Sequence, residues 1–547
     1  MEIKANFVDV HTKRIYPALV NFDEKINSVK KIDEKCSFYV IPGLIESHIH
    51  IESSLLTPSR FAHVAVTHGT TAVVADPHEI ANVLGIEGIN FMRDDARKTP
   101  LKVFFTAPSC VPATKFETSG AILDSEKINR LLQEKDVVAL GEMMNFPGVI
   151  REDPEVMKKI RLASRYGKPV DGHCPGLTGE ALEKYIETGI STEHECTALT
   201  EAEEKMSKGM KIMIREGSSA KNMEEICPLA RKSPEKCFVV SDDLHADDLL
   251  KGHMNLKLKE IVKLGIDPVD AIRMSTVNPA KHYNLNVGLL SQGDPADFVI
   301  VNNLKDFKVI ETYIDGKLVA RDSEPLFELP EVKTINSFDM KQKDVNDFKI
   351  KSNKEMGSAK VNVIGIVENQ IITKKLTETL KIENFEILPD SERDILRIAV
   401  AERYGKSNLA LGFIKGFKLK KGAVASSIAH DSHNIIAIGL DKKDIVKAIN
   451  AIREMQGGIT VVKNDRILIK LPLPIAGLMS DKPAEKVVEK LDKFHAILKE
   501  LGCTLNSPLM ILSFMSLPVI PEIKLTDMGL FDVEKFDFIN LIAENNS

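Results

Sequence analysis

The sequence predicts an α/β protein with three parts: a (β/α)8 TIM-like barrel, a small β-sandwich formed by the segments that flank it, and an additional C-terminal α/β domain. Three observations lead to this prediction. Short β-rich runs alternate with longer helical patterns from about residue 44 to 282, and turn-rich β segments lie on both sides of that region. A further α/β pattern then continues to residue 547.

The barrel is predicted from eight β-rich runs that are separated by stretches with helical periodicity. Gly or Pro stands at many of the junctions, among them Gly69, Pro100 and Gly189. Eight βα units over about 240 residues match the usual size of such a barrel. The predicted strands are 44–49, 70–75, 101–106, 136–141, 168–171, 190–193, 211–214 and 237–241.

The flanking segments differ from the barrel in pattern. Residues 1–42 and 284–334 are short β segments that are rich in turn residues. Because the ends of a domain often lie close together, we expect these two segments to form one sandwich beside a barrel at 43–283. Residues 335–547 are predicted to form the separate C-terminal α/β domain.

Composition excludes several classes of protein. Hydrophobic residues make up 43% and charged residues 28%, which is typical of a folded globular chain and excludes disorder as the main state. The net charge of −6 offers no basic face for nucleic acid. No apolar run is long enough for a membrane span, and the apolar stretch 508–521 is short enough to indicate a buried segment.

The cysteines and the N-terminus indicate a cytoplasmic protein. The seven Cys form an odd number and show no CxxC pairing, so we expect free thiols in a reducing compartment. The first residues contain no apolar region and no cleavage site of the kind that directs secretion.

A His-x-His motif ends the first predicted strand. His48 and His50 are two residues apart, so their side chains point to the same side of a strand and both imidazoles can reach one metal ion. Taken alone, the motif fits a polar loop equally well.

Other predicted strands end in metal-ligating residues too. Glu142 follows strand four, His173 strand five, His194 strand six and Asp242 strand eight. All of these positions fall on the C-terminal rim of a barrel, where active sites are built. The set suffices for two divalent ions bridged by the Glu142 carboxylate, and chance placement of polar residues at strand ends is the weaker interpretation.

These motifs resemble known ones. Residues 42–50, PGLIESHIH, resemble the signature of the amidohydrolase superfamily, in which many members carry a carboxylated Lys where this chain has Glu142. More specifically, the chain is similar to the adenine deaminase family. The stretches that match this family are 50–54, 75–82, 141–148, 429–434 and 471–477.

The resemblance implies two divalent metal ions per subunit, Mn²⁺ or Fe²⁺, although carboxylate and imidazole ligands also accept Zn²⁺. Asp243 is an alternative to its neighbour Asp242 as a ligand. The implied ligands are His48, His50, Glu142 and Asp242 for one ion, and Glu142, His173 and His194 for the other.

The resemblance also implies an enzyme that hydrolyses adenine to hypoxanthine and ammonia in purine salvage or adenine catabolism. Its expected partner is the small molecule adenine, with no nucleic acid and no membrane, in a homo-oligomer of two or more chains. Deamination needs a group that moves protons, and Asp242 is the first candidate, followed by His78 and Glu79.

The C-terminal domain contains one polar motif of interest. His430, Asp431 and His433 lie in a segment rich in Ser. Either this segment closes over the barrel mouth and contacts the purine, or it has a surface or supporting role.

Two other functions compete with deamination. A cyclic amide or imide hydrolase of the same superfamily is disfavoured by Glu142, which replaces the carboxylated Lys, and by the added C-terminal domain. A metal-free scaffold protein is disfavoured because every candidate ligand is intact.

Overall fold

The barrel is closed by parallel strands, and the fold class predicted from the sequence is confirmed. The structure is a computed structural model that describes residues 1–368 and 370–543. The first five barrel strands pair in chain order, as do the last three, and bridges Val170–Ile190 and Ile49–Asp242 join the two groups. The barrel strands are Leu44–Ile49, Thr70–Ala75, Lys102–Ala107, Val137–Met143, Val170–Gly172, Thr192–Glu193, Lys211–Arg215 and Cys237–Val240.

The barrel strands are buried on both faces, which is why they consist of nearly continuous apolar runs such as TTAVVA at 70–75. Strand five begins at Val170, later than predicted, because the Lys168 N–H still bonds the Ala163 carbonyl at the end of the preceding helix. The helices of this region are Pro58–Ala65, His78–Leu84, Ile86–Ala96, Ser125–Leu131, Phe146–Ile150, Pro154–Arg165, Gly179–Glu187, Leu199–Ser207, Met223–Lys232, Ala246–Lys251, Met254–Lys263, Pro268–Met274 and Val277–Tyr283.

The two flanking segments pair with each other in one sheet. Tyr39–Pro42 lies between an N-terminal strand and Phe298–Val301, so the chain leaves this sheet to form the barrel and then returns to it. The Phe298 ring stacks on Tyr313, with centroids 4.5 Å apart. The strands of this sheet are Glu2–Asp9, Arg14–Phe22, Ile26–Lys31, Tyr39–Pro42, Phe298–Val301, Val309–Ile314, Lys317–Arg321 and Glu324–Pro325.

The C-terminal region contains a large mixed sheet and a small antiparallel one. The large sheet contains Met356–Ile366, Thr373–Glu383, Glu386–Ile387, Ile395–Ala401, Leu409–Lys415, Ala423–Ser426, Ile435–Gly439, Gly458–Lys463 and Arg466–Pro472. The small sheet contains Ile523–Thr526, Gly529–Asp532 and Asp537–Phe538. The helices are Lys442–Met455, Ala484–Glu500 and Pro508–Ser513.

The apolar stretch that was predicted to be a buried segment is buried from residue 508 to 520. It begins with the short helix Pro508–Ser513. Within the described residues, no helix combines the length and the apolar character that crossing a bilayer requires.

The C-terminal region packs over the C-terminal rim of the barrel and is joined to it by hydrogen bonds of backbone N–H groups. The Ser480 N–H donates to the Leu55 carbonyl at 2.8 Å, just beyond barrel strand one. The Thr118 N–H, in the loop after strand three, donates to the Asp527 carboxylate at 2.9 Å. These contacts place the segment that contains His430 above the strand ends.

We predict that Asp527→Ala lowers the thermal unfolding midpoint of the protein. Asp527 is buried and also accepts from the Asn408 side chain at 2.9 Å, so its loss leaves two donors without an acceptor. Such a loss costs about 1–3 kcal/mol. Asp537→Ala is the matched control because Asp537 is exposed, and equal midpoints for both variants would contradict the importance of this contact.

Candidate metal centre and active site

The two His of barrel strand one meet at one carboxylate. His50 Nε2 lies 3.0 Å and His48 Nε2 3.4 Å from Asp242 Oδ1. His50 Nδ1 lies 3.0 Å from the Asp76 carbonyl, a contact that orients the ring so that Nε2 faces the Asp242 carboxylate. The spacing of the motif does place both imidazoles on one side of the strand.

Glu142 lies between two groups of imidazoles. Its Oε1 is 3.1 Å from His50 Nε2, and its Oε2 is 2.6 Å from His173 Nδ1 and 3.1 Å from His194 Nε2. Although burial alone would raise its pKa, the neighbouring His194 charge and the hydrogen bond from His173 Nδ1 hold the pKa of Glu142 well below its usual range. Each oxygen of one ionised carboxylate therefore faces a different set of nitrogens.

Gly141 allows this arrangement. A Cβ at this position would lie 2.2 Å from Asp76 Oδ2. That oxygen accepts the Glu142 N–H at 3.0 Å and so fixes the backbone that carries the central carboxylate. The Asp76 side chain approaches the backbone of residue 141 so closely that only glycine fits there.

The donor set fits divalent metal ions. His48 Nε2 and both ring nitrogens of His194 are buried and have no hydrogen-bond partner within residues 1–368 and 370–543. Such nitrogens are costly to bury unless something other than a hydrogen bond satisfies them. His48, His50 and Asp242 offer ligand atoms within 4.8 Å of one another, as do His48, Glu142 and His194.

Asp242 differs from its neighbour Asp243 in what it contacts. Asp242 has φ 60°, in the left-handed region, and its Oδ2 accepts from Arg215 Nη1 at 2.7 Å. Burial alone would raise the pKa of Asp242, but the His48 and His50 contacts and the Arg215 charge hold it well below its usual range. The Asp243 carboxylate accepts instead from the Ser53 hydroxyl.

Sequence reasoning missed two charged residues at this rim. Arg215 ends barrel strand seven and also donates to Glu195 Oε2 at 2.9 Å through Nη2. Glu195 Oε1 lies 3.5 Å from His194 Nε2. The available signal was position, because Arg215 directly follows the apolar run of predicted strand 211–214 and therefore lies at the rim.

The other catalytic and substrate-binding candidates form a second polar layer above the first. The Glu79 carboxylate contacts His430 Nδ1 with one oxygen and His433 Nε2 with the other. His78 Nε2 lies 3.4 Å from Glu79 Oε1 and 3.7 Å from Asp431 Oδ1. All five side chains are buried, so a surface position for the C-terminal motif is wrong.

A cavity separates the polar rim from an apolar roof. His50, Glu142 and Asp243 line the cavity on the barrel side. His430 and Asp431 of the C-terminal domain also line it. His433 does not, because it lies behind Glu79.

The roof is formed by C-terminal side chains that the sequence analysis did not single out. Ile371 precedes strand Thr373–Glu383 of the large sheet, and the others belong to the apolar stretch 508–521: Phe514, Leu517 and Ile520.

A parallel barrel whose C-terminal rim gathers buried imidazoles around one central carboxylate defines a metal-dependent hydrolase of the amidohydrolase class. The model of the amidohydrolase family matches residues 39–319, and the model of the adenine deaminase C-terminal domain matches residues 370–537. Membership of the amidohydrolase family implies divalent metal binding, and the described residues include His, Asp and Glu groups that could hold such an ion.

Relatives match over the whole chain. The adenine deaminase of Methanosphaera stadtmanae is 46% identical over 547 residues and covers 100% of both chains. That of Methanosarcina barkeri is 48% identical over 524 residues, which is 95% of each chain. That of Borreliella afzelii is 45% identical and covers 98% of this chain and 99% of its own. The chain belongs to the adenine deaminase family of amidohydrolases.

We predict that Glu142→Gln lowers the metal content of the purified protein. An amide offers a single neutral oxygen and bridges hard cations poorly. Metal analysis after dialysis measures the change, and Glu126→Gln, on an exposed helix face, serves as the matched control. A metal content in Glu142→Gln equal to that of the wild-type protein would contradict the central position given to this carboxylate.

Proposed function

We propose that this chain hydrolyses adenine to hypoxanthine and ammonia with the help of two divalent metal ions, Mn²⁺ or Fe²⁺. The observation that carries the proposal is the Glu142 carboxylate between two imidazole groups, directly below an apolar-roofed cavity. Full-length similarity to adenine deaminases supports the choice of substrate.

We assign the metal ligands to the two oxygens of the central carboxylate and the imidazoles that face them. When bound, divalent ions polarise the reacting atoms and lower the pKa of a water molecule toward neutrality. Asp242 is preferred over Asp243 as a ligand because its carboxylate contacts the imidazoles of the first strand. The proposed ligands are His48, His50, Glu142, His173, His194 and Asp242.

Asp242 is also the proposed proton carrier. Its carboxylate takes a proton from the attacking water and returns one to the departing amine. Arg215 holds Oδ2 at 2.7 Å and leaves Oδ1 directed at the rim. The contacts with His48 and His50 and the Arg215 charge favour the ionised carboxylate, so Asp242 carries no proton before the reaction begins.

The roof contributes by excluding water. Phe514, Leu517 and Ile520 are buried and face the polar rim across the cavity. A flat heterocycle has two apolar faces and a polar edge, so this arrangement suits it: the roof packs on a face while the rim meets the edge. A dry site strengthens every charge interaction within it.

The cellular compartment and the oligomeric state of the enzyme are proposed from other observations. All seven cysteines are free thiols in the structure and six are buried, which suits a reducing compartment such as the cytoplasm. A homo-oligomer of two or more chains is proposed on the family resemblance alone.

We predict that the Mn-loaded protein deaminates free adenine and fails on adenosine, with an efficiency lower by on the order of 100-fold or more. The reason is that a ribose on the base would have to enter a site enclosed by buried side chains. Absorbance assays with adenine, adenosine and dihydroorotate side by side measure this. Turnover of dihydroorotate without turnover of adenine would instead support the cyclic amide hydrolase, and comparable rates on adenosine would contradict the enclosed site.

A further inference from the structure

The hydrogen bonds of the second polar layer have a defined direction that starts at a backbone amide. The Ala429 N–H donates to His433 Nδ1 at 3.2 Å, so this nitrogen is an acceptor and carries no proton. The His433 proton therefore lies on Nε2, from which it is donated to Glu79. His433 is thus a neutral ring that holds one oxygen of a carboxylate.

The same carboxylate orients the second imidazole. The other oxygen of Glu79 contacts His430 Nδ1. Burial alone would raise the pKa of Glu79, but the charge and the hydrogen bond of His430 hold it well below its usual range. An ionised carboxylate only accepts, so the Nδ1 of His430 must carry a proton and donate it. This leaves the opposite nitrogen, Nε2, free to act elsewhere.

Three contacts hold His430 in place, one through its ring and two through its backbone. The face of its ring stacks on Phe514 with centroids 4.3 Å apart and an angle of 18° between the planes. Its backbone N–H donates to the Ser513 carbonyl at 2.9 Å. Its own carbonyl accepts from the Ser516 hydroxyl at 3.3 Å. The direction of Nε2 is therefore set by the packing of the C-terminal segment on the barrel.

Three buried atoms of this layer have no hydrogen-bond partner among the described residues: His78 Nδ1, Asp431 Oδ2 and His430 Nε2. His78 Nδ1 faces the Asp76 and Glu142 carboxylates. In contrast, no carboxylate of the lower layer within the described residues lies within ion-pair distance of His430 Nε2. This nitrogen belongs to a buried ring that lines the cavity.

The carboxylates of Glu79, Asp243 and Asp431 surround the His430 ring and favour its protonated form. Although burial alone would lower it, Glu79 raises the pKa of His430 to about 9.

We infer that His430 is a specificity residue that donates its Nε2 proton, as a hydrogen bond, to an acceptor ring nitrogen of the bound base. His433 touches no substrate in this arrangement and positions the Glu79 carboxylate that orients His430. The inference rests on the proposed function, because it takes the ligand to be a purine base. It assigns to the C-terminal domain a direct contact with the ring, in addition to covering the barrel.

The test compares binding of 1-deazaadenine, 3-deazaadenine and 7-deazaadenine, each of which replaces one ring nitrogen by C–H. Calorimetry on the Mn-loaded, full-length protein measures the affinity of each analogue relative to adenine. The variants are His430→Phe, which keeps an aromatic ring to stack on Phe514, and the control His495→Phe on helix Ala484–Glu500.

We expect one analogue to bind the wild-type protein and His495→Phe on the order of 10- to 100-fold more weakly than adenine, as expected for a lost hydrogen bond to a charged group. In His430→Phe we expect this analogue to bind as tightly as adenine, because neither molecule can then form the hydrogen bond with residue 430. Adenine turnover should also fall in this variant.

Two outcomes would overturn the inference in distinguishable ways. Suppose that the wild-type protein deaminates adenine, but that the affinity of each analogue relative to adenine is the same in His430→Phe as in the wild-type protein. His430 then makes no hydrogen bond to a ring nitrogen, and the proposed function stands. If the wild-type protein neither binds nor deaminates adenine, the proposed function fails and the inference fails with it.

Discussion

The site depends on one constraint: the Glu142 carboxylate must remain ionised in a buried position where three imidazoles meet it. Removing a carboxylate from water is costly unless charges and hydrogen bonds replace the solvent. Here His50, His173 and His194 face its two oxygens, and Asp76 fixes the backbone of the same strand. The parallel barrel satisfies this constraint because it brings the ends of separate strands to one rim.

The small size of the proposed substrate explains why the barrel rim needs a cover from the C-terminal domain. A free base has few atoms with which to gain binding energy, so an open barrel rim would bind it weakly and leave the reacting atoms in water. Packing of Phe514 and Leu517 over the rim removes that water. The contact of Thr118 with Asp527 shows that the cover is attached to a barrel loop as well as to the strand ends.

Sequence patterns predicted the barrel, and also which side chains meet at its rim, because both depend on local rules. Buried parallel strands require apolar runs. A polar residue directly after such a run lies at the C-terminal end of the strand, which is the rim of the barrel. Arg215 was not predicted, because an arginine at a strand end has no metal-binding signature and acts through Asp242. Phe514 was recognised only as part of a buried stretch, since stacking on His430 depends on a tertiary contact that no local pattern encodes.

The two polar layers meet at a single imidazole. His78 Nδ1 lies 3.5 Å from Glu142 Oε1 in the lower layer, while its Nε2 lies 3.4 Å from Glu79 Oε1 in the upper one. Glu79 in turn is held by His430 and His433, which belong to the C-terminal domain. Within the complete chain, these two imidazoles offset the effect of burial on the Glu79 carboxylate, which would otherwise favour its neutral form. The barrel therefore contains the proposed metal ligands, whereas the imidazoles that hold both oxygens of Glu79 in the upper layer come from the C-terminal domain.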